Sequence, residues 1–222
     1  MARLNIVVEG HTEETFARVV LSEHLGKLGV LVNQRRVITG RKGAHLYRGG
    51  MTSFARAAHD INQWLKEDKS AYVTTMFDLY GLPDDFPGYQ TAQKAIYPGD
   101  RAEILEKELA KTIDDRRFIP YIQKYEFEAI LFSDVAIIDQ SLKLVNAGSQ
   151  LARLQRIRSD FKTPEDINDN PQTVPSKRLK SLYPGYDKEA WGTRISIQIG
   201  IDSIRTECPH FNQWLTLLEG LT

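Results

Sequence analysis

Three acidic residues stand where a parallel sheet would gather them. Glu9 closes the apolar run Leu4–Val8, Asp78 closes Tyr72–Phe77, and Glu126 follows the run 118–123 through Lys124 and Tyr125. In an open parallel sheet, ligands bind beyond the carboxyl ends of the strands. Carboxylates collected there repel one another unless a cation lies between them. Hard oxygen donors suit Mg²⁺ or Mn²⁺. Such an ion polarises a phosphoryl oxygen or activates water. An acid after a strand also serves as an ordinary helix cap or solvated turn. The argument for a site is that three fall at matching ends. Glu128 lies two residues beyond Glu126. If 127–133 is helical, the two point to different sides. Glu126 is then the expected ligand, and Glu128 supports it from behind.

The elements that must position these acids can be read in outline. Leu4–Val8, Val30–Thr39, Tyr72–Phe77 and Phe118–Gln123 are strand-like. Thr12 can cap a helix after the first strand, with Glu13 and Glu14 on its positive end. Residues 52–66 carry Phe54, Ala57, Ala58, Ile61, Trp64 and Leu65 on one helical face. Asp100 and Glu103 suit a capping box on the next helix. This strand–helix alternation predicts an α/β fold with a mostly parallel four-stranded core sheet flanked by helices. Residues 1–133 would form that core, and 134–222 a helical C-terminal extension packed on it. Segments 149–159, 164–168, 175–183 and 209–221 are expected helices. Ile195, Ile197, Ile199 and Ile201 alternate like a strand, but Gly200 interrupts them, so this segment stays open.

Basic residues offer contacts for a phosphate backbone. Arg35, Arg36, Arg41, Lys42 and Arg48 lie in a stretch without acids, whose 40–50 portion is a glycine-rich expected loop with His45 and Tyr47 interleaved. Lys177 and Arg178 follow Pro175 at an expected helix start, where anions bind well. Ordinary solvated charge or structural ion pairs would account for either group equally well. His11 reads as a solvent-facing turn residue, and Cys208 as buried packing.

A resemblance joins these features. The run Val8-Glu9-Gly10-His11-Thr12-Glu13 resembles the opening motif of the toprim (topoisomerase–primase) fold. More widely, the chain is similar to a bacterial family known as domain of unknown function 4276. The matching segments are Val7–Gly10 with Thr12–Glu14, Tyr72–Pro83, Glu126–Asp134, Pro175–Leu179 and Cys208–Phe211. The resemblance implies a toprim-like, Rossmann-like fold, with Glu9 as general acid/base or metal ligand and Asp78 as a Mg²⁺ ligand. It also implies nuclease chemistry, phage defence and a co-encoded ATPase partner. Two positions depart from the pattern. Toprim proteins carry Asp-x-Asp after the third strand, whereas this chain has Asp78-Leu79-Tyr80. A phenol near pKa ~10 does not replace a carboxylate on Mg²⁺, so Glu126, Asp84 or Asp85 would have to supply the missing ligand. Tyr125 stands where the family more often has histidine.

Composition sets the outer bounds. The 222 residues carry 29 basic and 29 acidic side chains, so bulk charge gives no drive to coat nucleic acid, and any contact must be local. One cysteine builds neither a disulfide framework nor a thiolate zinc site, which fits a reducing cytoplasm. No apolar stretch approaches the ~20 residues of a membrane span, and the first residues lack a signal-peptide core. No P-loop, Gly-x-Gly-x-x-Gly or Gly-x-Ser-x-Gly motif occurs. Three functions remain in view: a Mg²⁺-dependent nuclease, a non-catalytic partner subunit of an ATPase, and an enzyme or binder of free nucleotides.

Overall fold

The computed structural model describes residues 1–42, 45–48, 51–144, 148–168 and 172–221. The chain divides into two compact units. One comprises Met1–Gln123 with Leu218–Thr222, and the other Lys124–Leu217.

The first unit is built on a parallel sheet. Strand β1 (Ala2–Val8) lies between β2 (Val30–Arg36) and β5 (Ala71–Asp78), and its Leu4, Ile6, Val7 and Val8 are buried. Burial on both faces explains the unbroken apolar run. Between β1 and β2 runs one continuous helical stretch. It consists of α1 (His11–Phe16), a π-helical turn (Ala17–Leu21) and α2 (Ser22–Lys27). Gly10, not Thr12, is its N-cap. Two short strands follow β2, β3 (Ile38–Lys42) and β4 (His45–Arg48), paired antiparallel. The stretch expected as a loop is therefore largely a hairpin. β-Branched Ile38 and Thr39 and aromatic Tyr47 have the strand propensity to support it. Gly43, Gly49 and Gly50 lie outside the described residues, as do the side chains of Arg41, Lys42 and Arg48.

Helix α3 (Phe54–Glu67) turns Ala57, Ile61, Trp64 and Leu65 into the core shared with Val7, Val73 and Phe77. Beyond β5 come α4 (Tyr89–Ala92) and α5 (Arg101–Ile113), the latter burying Leu105 and Leu109. The expected capping box on α5 does not form. Asp100 already has helical angles (φ −80°, ψ −11°) as the end of a 3-10 turn, and its side chain makes no capping bond. A capping residue needs extended backbone to reach the orphan N–H groups.

The fourth expected strand is two. β6 (Phe118–Ile119) and β7 (Ile122–Gln123) both pair with β5 in parallel, giving the sheet five strands among the described residues where four were expected. Pro120 interrupts them, because it has no N–H for the ladder. Thr75 bridges the gap with its hydroxyl, which donates to Tyr121 O and accepts from Tyr121 N, both at 2.9 Å.

The second unit is helical. Its centre is a 3-10 helix (Phe127–Ser133) whose Phe127, Ala129, Ile130, Leu131 and Phe132 are buried. α6 (Val135–Leu142), α8 (Pro175–Leu182), α9 (Thr193–Ile199) and α10 (Ile201–Glu207) pack on it, and the unit also holds α7 (Leu151–Ser159) and most of α11 (Pro209–Glu219), as far as Leu217. Asp134 caps α6 by accepting from the Ala136 and Ile137 amides. The isoleucine-rich segment is thus two helices broken at Gly200, whose φ of +80° only glycine adopts without strain. Ile195 and Ile199 are buried and Ile197 is 47% exposed, which is a helical spacing. Among the described residues no helix is long and apolar enough to cross a membrane.

Candidate active site

In the first unit, the ends of the two central strands bring Glu9 and Asp78 together. β1 and β5 run in register, Val8 opposite Met76, so both residues leave the sheet at one edge. The Glu9 carboxylate accepts the Asp78 backbone N–H at 3.3 Å. It also lies over the α-carbon of Gly81, where a Cβ would sit 2.6 Å from Glu9 Cδ. No other residue type leaves that space. Asp78 is 9% exposed, and its Oδ1 is shielded from solvent. Glu13 repeats the arrangement one turn into α1. It is 2% exposed, and its Oε2 lies 2.5 Å from a Cβ built on Gly10. Glu13 was expected only as a charge on the helix dipole. Its burial was not legible, since an acid in a first helical turn normally faces water.

The neighbouring acids have other tasks. Asp85 accepts the Phe54 amide at 2.9 Å and so caps α3. Asp84 hydrogen-bonds Tyr89, whose phenol is pushed up by burial and then by that carboxylate. His11 lies at the surface, 3.7 Å from Glu14. Tyr80, in the 3-10 turn Leu79–Gly81, is 40% exposed. Two of the basic candidates are engaged locally. Arg35 lies 4.7 Å over the Trp64 ring, and Arg36 Nε is 2.9 Å from Glu14.

Glu126 belongs to the second unit. Tyr125 before it has a left-handed φ of +64°, which turns the chain out of the sheet into the 3-10 helix. For a bulky residue that conformation is strained, a feature concentrated at functional sites. Glu126 itself is extended (φ −144°, ψ 156°), ahead of the helix. Helical angles therefore do not separate it from Glu128, and both line one cavity of about 320 Å³. This corrects the expectation that they face different sides. Glu126 Oε2 accepts the Ser176 amide at 3.0 Å in the first turn of α8. Glu128 is fully buried, with Tyr186 Oη 3.3 Å and Lys188 Nζ 3.5 Å from its oxygens. Burial, and then the charge of Glu128, push the Tyr186 phenol far up.

Lys177 and Lys180 complete the wall of this cavity. Arg178 does not line it. Its Nε donates to Thr173 O, and its guanidinium lies 5.4 Å from the Phe161 ring centroid. Tyr186 and Lys188 were missed because Pro184-Gly185 and the π-helical turn Lys188–Gly192 carry no periodic signal.

Among the described residues, no three His, Cys, Asp or Glu side chains converge closely enough to hold a metal ion by themselves. Glu9 and Asp78 are of the hard-oxygen donor type that suits Mg²⁺, an ion that keeps several waters and is commonly held through one or two carboxylates. The glycine cradle under Glu9 is what supports the fit: it seats a carboxylate beside Asp78.

Fold and acidic edge define an α/β protein with a parallel sheet and a helical C-terminal part. The chain belongs to the family described as domain of unknown function (DUF4276), whose profile matches residues 8–219. No curated protein matches the chain. Among solved structures, it is similar to the C-terminal region of the Xanthomonas campestris pv. campestris OLD protein. The mercury-phased structure has a TM-score of 0.43 and 16% identity, with 98% of each chain covered. The iodine-phased one has 0.43 and 19%, covering 98% of this chain and 97% of that one.

Proposed function

We propose that this protein is a Mg²⁺- or Mn²⁺-dependent phosphodiesterase that cuts nucleic acid, of the toprim-like kind its Val8–Glu13 motif resembles. The observation that carries this reading is the seating of the Glu9 carboxylate on Gly81 and the Asp78 backbone amide. Asp78 and Glu9 would hold the ion, which would polarise a phosphoryl oxygen of the scissile diester. The Asp78 N–H orients the Glu9 carboxylate, which would serve either as that ligand or as the base that takes the proton of the attacking water. Arg35, Arg36, Arg41, Lys42, Arg48, Lys177 and Arg178 are proposed contacts to the phosphate backbone. The setting that the resemblance implies is phage defence beside a co-encoded ATPase, and the single cysteine fits a reducing cytoplasm.

The test is cleavage of plasmid, single-stranded DNA and RNA by the purified protein with Mg²⁺ or Mn²⁺. Asp78→Ala and Glu9→Ala should each lower the rate by on the order of 10²-fold or more with the fold intact. Cutting that survives both substitutions overturns the assignment.

One residue favours a second reading. Tyr80 stands where toprim proteins carry their second aspartate. A chain lacking that ligand would serve as a non-catalytic partner subunit of the ATPase. It would then co-purify with the ATPase equally well after Asp78→Ala, and would cut nothing.

A further inference from the structure

At the opposite, amino-terminal edge of the sheet, the first unit carries a basic cavity of about 460 Å³. Lys69, Ser70, Tyr72, Arg116 and Arg117 line it. Two turns build it, one between α3 and β5 and one between α5 and β6. β5 runs eight residues between this edge and Asp78, roughly 25 Å at the rise of an extended strand. The cavity is therefore separate from the Glu9–Asp78 site.

Its cations are arranged unequally. Arg117 is locked in place. Nε and Nη2 donate to the Asp115 carboxylate at 3.0 and 2.7 Å, Nη1 donates to Asp68 O at 2.9 Å, and Nη2 to Leu65 O at 3.0 Å. Four of its five N–H groups are thereby used. The carboxylates of Asp68 and Asp115 are consumed as well. Asp115 is held by Arg117, including its amide at 2.9 Å. Asp68 is held by Arg3 at 2.9 Å and by the Ser70 amide and hydroxyl. Lys69 and Arg116 are exposed, and neither has an ion-pair partner within 4.0 Å among the described residues. With Asp114 of the same turn counted, the cluster of Arg3, Lys69, Arg116 and Arg117 against Asp68, Asp114 and Asp115 carries a net charge of about +1 at neutral pH. No acid lines the cavity among the described residues.

We propose that this cavity is an anion site that binds the phosphate backbone of a single nucleic-acid strand, with Lys69 and Arg116 as the phosphate contacts. Tyr72 decides between ligand classes. An aromatic ring among cations suits a strand whose bases can stack, where an acidic peptide would need only the charge. Arg117 acts as a positioning residue: it ties the two turns together through the Leu65 and Asp68 carbonyls and occupies the Asp115 carboxylate, while Arg3 occupies that of Asp68.

The experiment is fluorescence anisotropy of a labelled single-stranded oligonucleotide with the whole chain. It is run in EDTA so that no cutting intervenes, across a salt series. The wild type is compared with Lys69→Ala/Arg116→Ala and with the charge-preserving Lys69→Arg/Arg116→Lys. Two lost phosphate contacts should reduce the slope of log K against log salt by about 1.4 and weaken binding several-fold at low salt. The charge-preserving pair should keep the wild-type slope. Equal affinity and slope in the alanine variant overturn this site and leave the proposed cleavage untouched, since both substituted residues are remote from Glu9 and Asp78. Equal competition by poly-glutamate and by unlabelled strand also overturns it, in favour of an acidic peptide. Absence of any strand binding by the wild type overturns it together with the nucleic-acid part of the proposed function. Asp78→Ala separates the two proposals further: it should bind like wild type in EDTA while failing to cut with Mg²⁺.

Discussion

The carboxylate of Glu9 occupies the space that a side chain on Gly81 would need. Gly81→Ala therefore has to push Glu9 aside. The obstacle is the far end of a flexible side chain, so the adjustment is cheap for folding. Stability should change by less than about 1 kcal/mol, as for a substitution outside the core. The displaced carboxylate would lose its place beside the Asp78 amide. Metal-dependent cleavage should then fall by on the order of 10²-fold, the scale of losing one positioned catalytic group. Thermal unfolding and cleavage measured on one preparation check both halves. Full activity in Gly81→Ala would show that the seating of Glu9 is not needed.

Asp139 ties the second unit together. It accepts the Tyr183 hydroxyl at 2.6 Å, the Gln150 amide at 2.7 Å and the Ser149 hydroxyl at 2.8 Å. Burial alone would raise its pKa, but these bonds more than offset burial and hold the carboxyl below its usual range. The sign follows from linkage. A depressed carboxyl stabilises the fold above its unfolded pKa of ~3.9, and that contribution disappears as pH falls through the lower folded value. Asp139→Ala should lower stability at pH 7 by about 2–4 kcal/mol, since buried donors are left without an acceptor. Urea titrations at pH 7 and pH 3 should show a smaller gap between variant and wild type at pH 3. A constant gap would mean that the carboxylate charge contributes nothing.

Cys208 is fully buried, and burial pushes its thiol well above its usual value. The thiolate is the reactive form. An aromatic disulfide reagent at pH 8 should leave the native protein unlabelled and react with one thiol per chain in denaturant. Rapid labelling of the native protein would show that this region opens readily.

Arg117 crosses from the turn before β6 to the carbonyls of Leu65 and Asp68 at the end of α3. Arg117→Ala should cost about 2–3 kcal/mol, the scale of a charge-assisted hydrogen-bond set. The Asp115 carboxyl, held low chiefly by its bond from Arg117, should titrate closer to its ordinary value. Carboxyl-region NMR titration reads that shift directly.

The sequence made the strand ends legible because buried parallel strands are uninterrupted apolar runs. Glu9 and Asp78 stand out at their ends for that reason. Side-chain bridging was not legible. Nothing in the run 118–123 announces that Thr75 takes over the ladder around Pro120. Alternating Ile195, Ile197 and Ile199 imitate a strand, and only the partner surfaces choose the helix. The buried state of Glu13 and Glu128 was likewise hidden. An acid after a turn looks the same in sequence whether it faces water or a glycine's α-carbon.

The first unit takes its final piece from Leu218–Thr222, where Glu219 Oε1 meets His24 Nε2 at 2.6 Å. A ribosome delivers the sheet of that unit by residue 123, yet this tie arrives about a hundred residues later. At ~5–20 residues per second, the wait is roughly 5–20 seconds. Through that interval the nascent sheet and the helix that carries His24 must persist without this tie, while the helical unit is being made.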